Sequence, residues 1–110
     1  MGGIFVRFFR RCYYLIRVIV RSDYVEVSGH ANYAESGRDI VCAAVSALTF
    51  TLLYSLESLS DDLVNATMNE GHMKIEIKNV SEQGKLLIDS FFIGITAIVR
   101  EYGEKYIQIQ

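Results

Sequence analysis

Hydrophobic and polar residues alternate in two short stretches of this chain, IRVIVR at residues 16–21 and YVEV at residues 24–27. A period of two is typical of strands with one buried face, and the polar pair Ser22-Asp23 between them is typical of a tight turn. The pattern predicts a hairpin. Residues 28–38 are small and polar and include Gly29 and Gly37, a composition that predicts a loop.

Residues 40–56 form a long uncharged stretch, IVCAAVSALTFTLLYSL. Its length and its small and aliphatic residues predict a helix that is buried on more than one side. Asp39 precedes the stretch and is a suitable N-cap, since its carboxylate can accept a hydrogen bond from a first-turn amide. Cys42 would then be the third residue of this helix.

The second half of the chain repeats the order of strands and helix. Residues 61–69 and 72–79 are predicted strands, joined by a turn in which Gly71 can adopt a positive φ. A second helix is predicted from residue 81 to about residue 102, and Gly103 is a natural end for it. Residues 106–110 alternate again and predict a last strand. The apolar positions of the second helix recur at spacings of three and four: Leu87, Phe91, Ile95, Ile98 and Tyr102.

These elements give the order ββαββαβ and a single α+β domain, with a mixed or antiparallel sheet and two helices. We assign residues 15–110 to this domain. Residues 1–14, MGGIFVRFFRRCYY, are an extra N-terminal segment, and we expect that they result from an upstream start codon assigned in error. Intact-mass measurement of the natively expressed protein checks that expectation.

Charge is distributed unevenly between these two parts. The segment 1–14 contains three arginines and no acidic residue, whereas residues 15–110 carry eight basic and thirteen acidic side chains, a net charge of −5. An acidic domain without a basic cluster predicts no direct nucleic-acid binding, because phosphate neutralisation supplies most non-specific affinity. A basic protein partner fits the charge better.

His30 and Cys42 are the candidate catalytic residues. A cysteine acts as a nucleophile when it is a thiolate, and a nearby imidazole or a helix N-terminus lowers a thiol pKa from about 8.5 to about 3.5–7.5. Cys42 is placed for both, since His30 lies in the preceding loop. Gly29, Asp39 and Ser46 are supporting candidates; Ser46 lies one helical turn beyond Cys42 on the same face.

Other interpretations of the same residues remain open. A cysteine in an alanine-rich apolar helix is often a small buried core residue. Metal binding by His30, Cys42, His72 and either Glu35 or Asp39 is disfavoured because their spacing matches no structural zinc pattern. His72 fits better as a solvent-facing residue of the 69–72 turn. A membrane span over residues 40–56 is disfavoured by its serines and threonines. We therefore expect no metal, no cofactor and no membrane.

The segment GHANYAESGRDIVCAAVSAL, residues 29–48, resembles the ribosomal-processing cysteine proteases, the Prp family of bacteria such as Firmicutes. The family pattern is GHA, a short variable loop, G-x-DIVCAAVS and a long helix. Every fixed position of that pattern is matched here, from Gly29 to Ser46. The similarity extends from about Leu15 to the C-terminus.

The resemblance implies that His30 and Cys42 form a catalytic dyad, supported by Gly29, Asp39 and Ser46. It also implies a mobile loop over residues 31–38 and a homodimer. A cytoplasmic location is expected separately, because Cys12 and Cys42 cannot form a multi-bridge framework and both are expected to be reduced. The implied substrate is the N-terminal extension of large-subunit ribosomal protein twenty-seven, cut after a short apolar segment that ends in aromatic residues. The alternative is a non-catalytic ribosome-assembly or protein-binding module of the same fold, in which Cys42 is packed and inert.

Overall fold

A computed structural model describes residues 15–29, 38–69 and 71–110 of the chain. The element order ββαββαβ predicted from the sequence is confirmed. We number the elements along the chain: β1 Ile16–Val20, β2 Tyr24–Ser28, α1 Arg38–Leu59, β3 Leu63–Asn69, β4 His72–Lys78, α2 Glu82–Tyr102 and β5 Ile107–Ile109.

The five strands form one mixed sheet in the order β3-β4-β2-β1-β5. Three of the pairings are antiparallel, and β5 pairs parallel to β1 with Ile107 opposite Ile16. The alternating residues of each strand point to opposite faces of the sheet. One face is therefore apolar and carries both helices, while the other presents polar side chains such as Glu26, Lys74 and Glu76.

The core lies between the apolar sheet face and the two helices. The sheet contributes buried aliphatic side chains from four of its strands, among them Val18, Val27 and Ile75. From α2, the predicted apolar positions Phe91 and Ile95 are buried, but Tyr102 at the last turn is 42% exposed. The buried helix residues that meet the sheet include Val41, Val45, Leu52, Leu56, Ile88, Phe91 and Ile95.

Helix α1 differs from its prediction on one side. It packs on the sheet and against α2, yet Ile40, Tyr54 and the small residues between them on that face are exposed. The predicted burial on more than one side is confirmed, whereas the apolar composition did not predict this exposed stripe. By length and composition residues Ile40–Leu59 resemble a membrane span, but buried Val45, Thr49 and Leu52 place the helix on the sheet as a core helix.

Both ends of α2 agree with the sequence. Ser81 is the N-cap, and its hydroxyl accepts a hydrogen bond from the Gly84 N–H at 3.0 Å. The Asp62 carboxylate accepts from the Ser81 N–H at 3.1 Å, which ties the start of α2 to the segment after α1. Gly103 ends the helix with φ 94° and donates its N–H to the Val99 carbonyl at 2.8 Å.

Candidate active site

The end of β2 is held in place by Gly29. Its N–H donates to the Gly71 carbonyl at 2.8 Å, which joins β2 to the turn between β3 and β4. Its φ is +87°, and a β-carbon at this position would lie 2.6 Å from the Leu15 carbonyl oxygen. Only glycine fits both conditions. Gly29 was predicted as a supporting residue; its contacts fix the end of β2, and its support of the dyad stays a prediction.

Replacement of Gly29 by alanine should destabilise the fold more than the same change at Gly103. Both residues have positive φ, but a β-carbon at Gly103 meets no atom within 4 Å. We expect Gly103→Ala to cost about 1–2 kcal/mol from its φ. Gly29→Ala should cost about 2–4 kcal/mol, because a backbone clash adds to the same strain. Urea denaturation of both variants checks this, and equal losses would contradict it.

Helix α1 starts at the same end of the sheet. The strand that follows it, β3, begins at Leu63, which pairs with Lys78 at the end of the sheet opposite Gly29. Helix α1 therefore runs from the end of the sheet that holds Gly29 to the opposite end, which we call the far end. The helix begins at Arg38 and not after Asp39. Asp39 is therefore its second residue and not the N-cap that the sequence predicted. The side chain of Asp39 lies outside the described part of the chain.

Cys42 is the fifth residue of α1, two positions further into the helix than predicted. Its side chain is 5% exposed and belongs to the core cluster of the domain. A residue at this depth is at the limit of the first turn, where the effect of the helix dipole has begun to decline. The helix alone is thus a weaker source of thiolate stabilisation than the sequence indicated.

Ser46 follows Cys42 by four residues, so both lie on one side of α1 as predicted. Ser46 is partly buried. Its predicted hydrogen bond near the sulfur stays a prediction. His30 and the 31–37 loop lie outside the described residues, and so does the predicted closeness of His30 to Cys42.

His72 is not the solvent-facing turn residue that the sequence predicted. It is the first residue of β4, and its Nε2 lies 2.6 Å from Glu26 Oε2 on β2. Both side chains are partly buried, 31% and 27% exposed. The sequence did not indicate this pair because the two residues are 46 positions apart. His72 therefore has a structural partner on the polar side of the sheet.

No group of three or more potential metal ligands occurs within residues 15–29, 38–69 and 71–110. A cavity of about 640 Å³ opens near the far end of the sheet, lined by residues that include Asp23, Leu63 and Lys78. It contains none of the candidate residues. The candidate site is defined instead by Gly29, Cys42 and Ser46 among the described residues.

A family described as cysteine protease Prp matches residues 16–108, which is most of this chain. Relatives that carry the name ribosomal processing cysteine protease Prp include proteins from Staphylococcus aureus and Bacillus subtilis. The relative from Staphylococcus aureus strain Mu50 is 30% identical over 83 residues, covering 73% of this chain and 78% of its own. The relative from Bacillus subtilis strain 168 is 30% identical over 84 residues, covering 70% and 75%.

Solved structures that share the fold include two proteins from different bacteria. One is the essential ribosomal processing protease Prp of S. aureus in complex with a substrate peptide, with a TM-score of 0.76 and 22% identity. The alignment covers 87% of this chain and 96% of that one. The other is a Streptococcus mutans protein with a TM-score of 0.70 and 35% identity, covering 92% and 98%.

Proposed function

This chain belongs to the cysteine protease Prp family, and from that premise we propose that Cys42 and His30 form its catalytic dyad. The observation that carries the proposal is the position of Cys42. Cys42 lies near the start of α1, at the end of the sheet where β2 ends next to Gly29. His30 directly follows Gly29 in the sequence. Eight residues, 30–37, separate Gly29 from α1 along the chain.

The proposed reaction is the hydrolysis of a peptide bond in two steps. The Cys42 thiolate attacks the carbonyl carbon, and the His30 imidazolium gives its proton to the leaving amine. Water then attacks the thioester and releases the acid. Backbone amides near the start of α1 are suited to stabilise the oxyanion. His30 has the larger share in forming the thiolate, because Cys42 lies at the limit of the first helical turn.

The proposed substrate is the N-terminal extension of large-subunit ribosomal protein twenty-seven, cut after a short apolar segment that ends in aromatic residues. Support comes from the relatives named for ribosomal processing and from the S. aureus structure with a substrate peptide. The net charge of −5 on residues 15–110 complements a basic ribosomal protein. The proposal includes a cytoplasmic location and no direct nucleic-acid contact. The burial of Cys42 in the core cluster, at 5% exposed, is the one described feature that fits the non-catalytic module, whereas the family match over residues 16–108 favours the protease.

Mass spectrometry of the extended ribosomal protein, incubated with this chain and in parallel with a Cys42→Ser variant, tests the function. We expect one cut near the end of the extension with the wild-type chain and none with the variant. A cut elsewhere, or the same cut with both proteins, would refute the substrate or the nucleophile respectively.

The proposal also includes a homodimer, formed through the helix side that faces away from the sheet. Exposed apolar residues of both helices lie there: Ile40, Ala43, Ala47 and Tyr54 of α1, and Leu86, Ile93 and Ala97 of α2. Asp89 and Arg100 of α2 are exposed on the same side and border the apolar residues. Leu86 and Ile93 are 70% and 66% exposed, and extended apolar surface of this kind is typical of protein interfaces.

Ile93→Glu should therefore give a monomer, because a charge at the centre of an apolar interface is desolvated without a partner. Light scattering on the eluted protein should report two chains for the wild type and one for the variant. Thr67→Glu is the matched control: Thr67 is exposed on β3, far from the helix side, and its variant should remain a dimer. A folded Ile93→Glu dimer, or a wild-type monomer, would contradict this interface.

A further inference from the structure

Strand β3 forms one edge of the sheet, and among the described residues it pairs with β4 alone. It is seven residues long, Leu63–Asn69, and its sequence LVNATMN contains no charged residue and no proline. Proteins usually protect an edge strand from pairing with another chain by charges, by proline or by a short length. Strand β3 has none of these protections.

The hydrogen bonds between β2 and β4 show which way the backbone of β4 faces. The Gly29 N–H donates to the Gly71 carbonyl, and the Ile77 N–H donates to the Asp23 carbonyl, both at 2.8 Å. Odd-numbered residues from 71 to 77 therefore bond to β2. Because backbone groups point alternately to the two sides of a strand, the even-numbered residues of β4 bond to β3.

The same alternation shows which backbone groups of β3 face outwards. Even-numbered residues of β4 pair with odd-numbered residues of β3, as Lys74 does with Thr67. The N–H and C=O groups of Val64, Ala66 and Met68 therefore point away from β4. Three residues thus present backbone donors and acceptors along an uncharged edge, in the arrangement that a further strand requires.

A row of apolar side chains leads from this edge towards the candidate site. Met68 pairs with Met73, and Met73 pairs with Val27, which lies two residues before Gly29. Met73 and Val27 are 3% and 0% exposed, whereas Met68 is 53% exposed. The row lies on the sheet face that carries the helices, since Ala66 packs against the core and Met68 follows it by two residues.

The distance between the edge and the candidate site suits a peptide. Cys42 belongs to the same core cluster as Val27 and Met73. Two strand spacings, about 10 Å, separate β2 from β3, and about three residues of an extended chain cover that distance. A polypeptide with its scissile bond at Cys42 can therefore run along β3 with its neighbouring residues.

We propose that β3 binds the substrate polypeptide as an added strand, through the outward backbone groups of Ala66 and Met68 and the side chain of Met68. The inference rests on the proposed function, because it assigns a binding surface to the substrate of Cys42. The segment bound is extended and uncharged, since a charge placed against this uncharged edge would be desolvated without a partner. Backbone hydrogen bonds supply affinity, and the Met68 side chain selects an apolar residue. A second copy of this chain is the rival occupant, but the proposed dimer uses the helix side and leaves β3 open.

Ala66→Pro tests the backbone contact. Proline removes the outward N–H of residue 66 and leaves the β3–β4 hydrogen bonds in place, which is where an edge strand tolerates it. Binding is measured by the anisotropy of a fluorescent peptide with the sequence of the ribosomal extension, on a Cys42→Ala background that prevents cleavage. We expect Kd to rise about tenfold, since a peptide acceptor loses its donor. Ala66→Val is the matched control, because valine is similar in size to proline and keeps the N–H; its Kd should equal that of the parent.

Met68→Ala tests the side chain and does not depend on the folding of the proline variant. It should raise Kd about threefold through the loss of apolar contact area. Thr67→Ala is its matched control: Thr67 is the adjacent exposed residue, and its side chain lies on the opposite face of the sheet. It should bind the peptide like the parent.

The outcomes separate this inference from the proposed function. An unchanged Kd for folded Ala66→Pro, or equal Kd values for Met68→Ala and Thr67→Ala, would reject strand addition, while cleavage by the wild-type chain would keep the protease. Binding that depends on Ala66 and Met68 without cleavage by the wild-type chain would support the edge site and reject the protease. Light scattering that shows a dimer for the parent and a monomer for Ala66→Pro would assign the edge to a second copy and overturn the inference.

Discussion

Cys42→Ala should reduce cleavage of the ribosomal extension by a factor of about 10³ or more, the largest effect expected for any single substitution in this chain. The thiolate supplies the covalent bond on which both steps depend, and loss of a nucleophile in comparable hydrolases removes up to about 10⁶ in kcat. Steady-state kinetics measures the loss. The effect should appear in kcat. Alanine removes the nucleophile but is almost as large as cysteine, so the residues packed around this 5% exposed side chain should keep their positions.

The matched control for this prediction is Cys12→Ser. Cys12 is the other cysteine of the chain and lies outside residues 16–108, which the family matches. Its variant should cleave at the wild-type rate. A Cys42→Ala variant that retains cleavage while folded, as judged by circular dichroism and urea denaturation, would refute Cys42 as the nucleophile and leave it as a core residue.

The order of elements could be predicted because apolar residues recur at a spacing typical of a helix or of a strand within each element. In α2, spacings of three and four mark a helix whose Phe91 and Ile95 are buried; in β4, alternation marks Met73, Ile75 and Ile77 as the buried residues. The pairing of β5 with β1 could not be predicted in this way, because alternation identifies a strand but not its neighbour.

Errors arose where a local signal competed with a distant contact. His72 follows a glycine turn and was assigned to it, but its partner Glu26 lies on another strand. The start of α1 was placed after Asp39, the residue with the best capping side chain, whereas the helix begins at Arg38. The hydrophobic composition of α1 also could not reveal which side remains exposed, since that depends on where the sheet and α2 pack.

His30→Ala should give the second largest effect, a loss of about 10²–10⁴ in kcat, the usual contribution of a general acid or base. His30 follows Gly29, whose positive φ and hydrogen bond to Gly71 fix the end of β2. The proposed imidazolium stabilises the thiolate, so its removal should raise the pKa of the Cys42 thiol. Alkylation of Cys42 followed across pH should then become slower at neutral pH and need more alkaline conditions. The Cys12→Ser background keeps the signal specific to Cys42.

His72→Ala is the control that separates an effect of the dyad from the loss of any histidine. His72 is the second of the two histidines, and it pairs with Glu26 across the polar face of the sheet. Its variant should lose some stability, because Glu26 loses a partly buried partner, but its alkylation profile should match the wild type. Equal alkylation profiles for His30→Ala and the wild type would show that His30 does not activate the thiol. Cys42 would then depend on the start of α1 alone, where its position as the fifth residue makes that support weak.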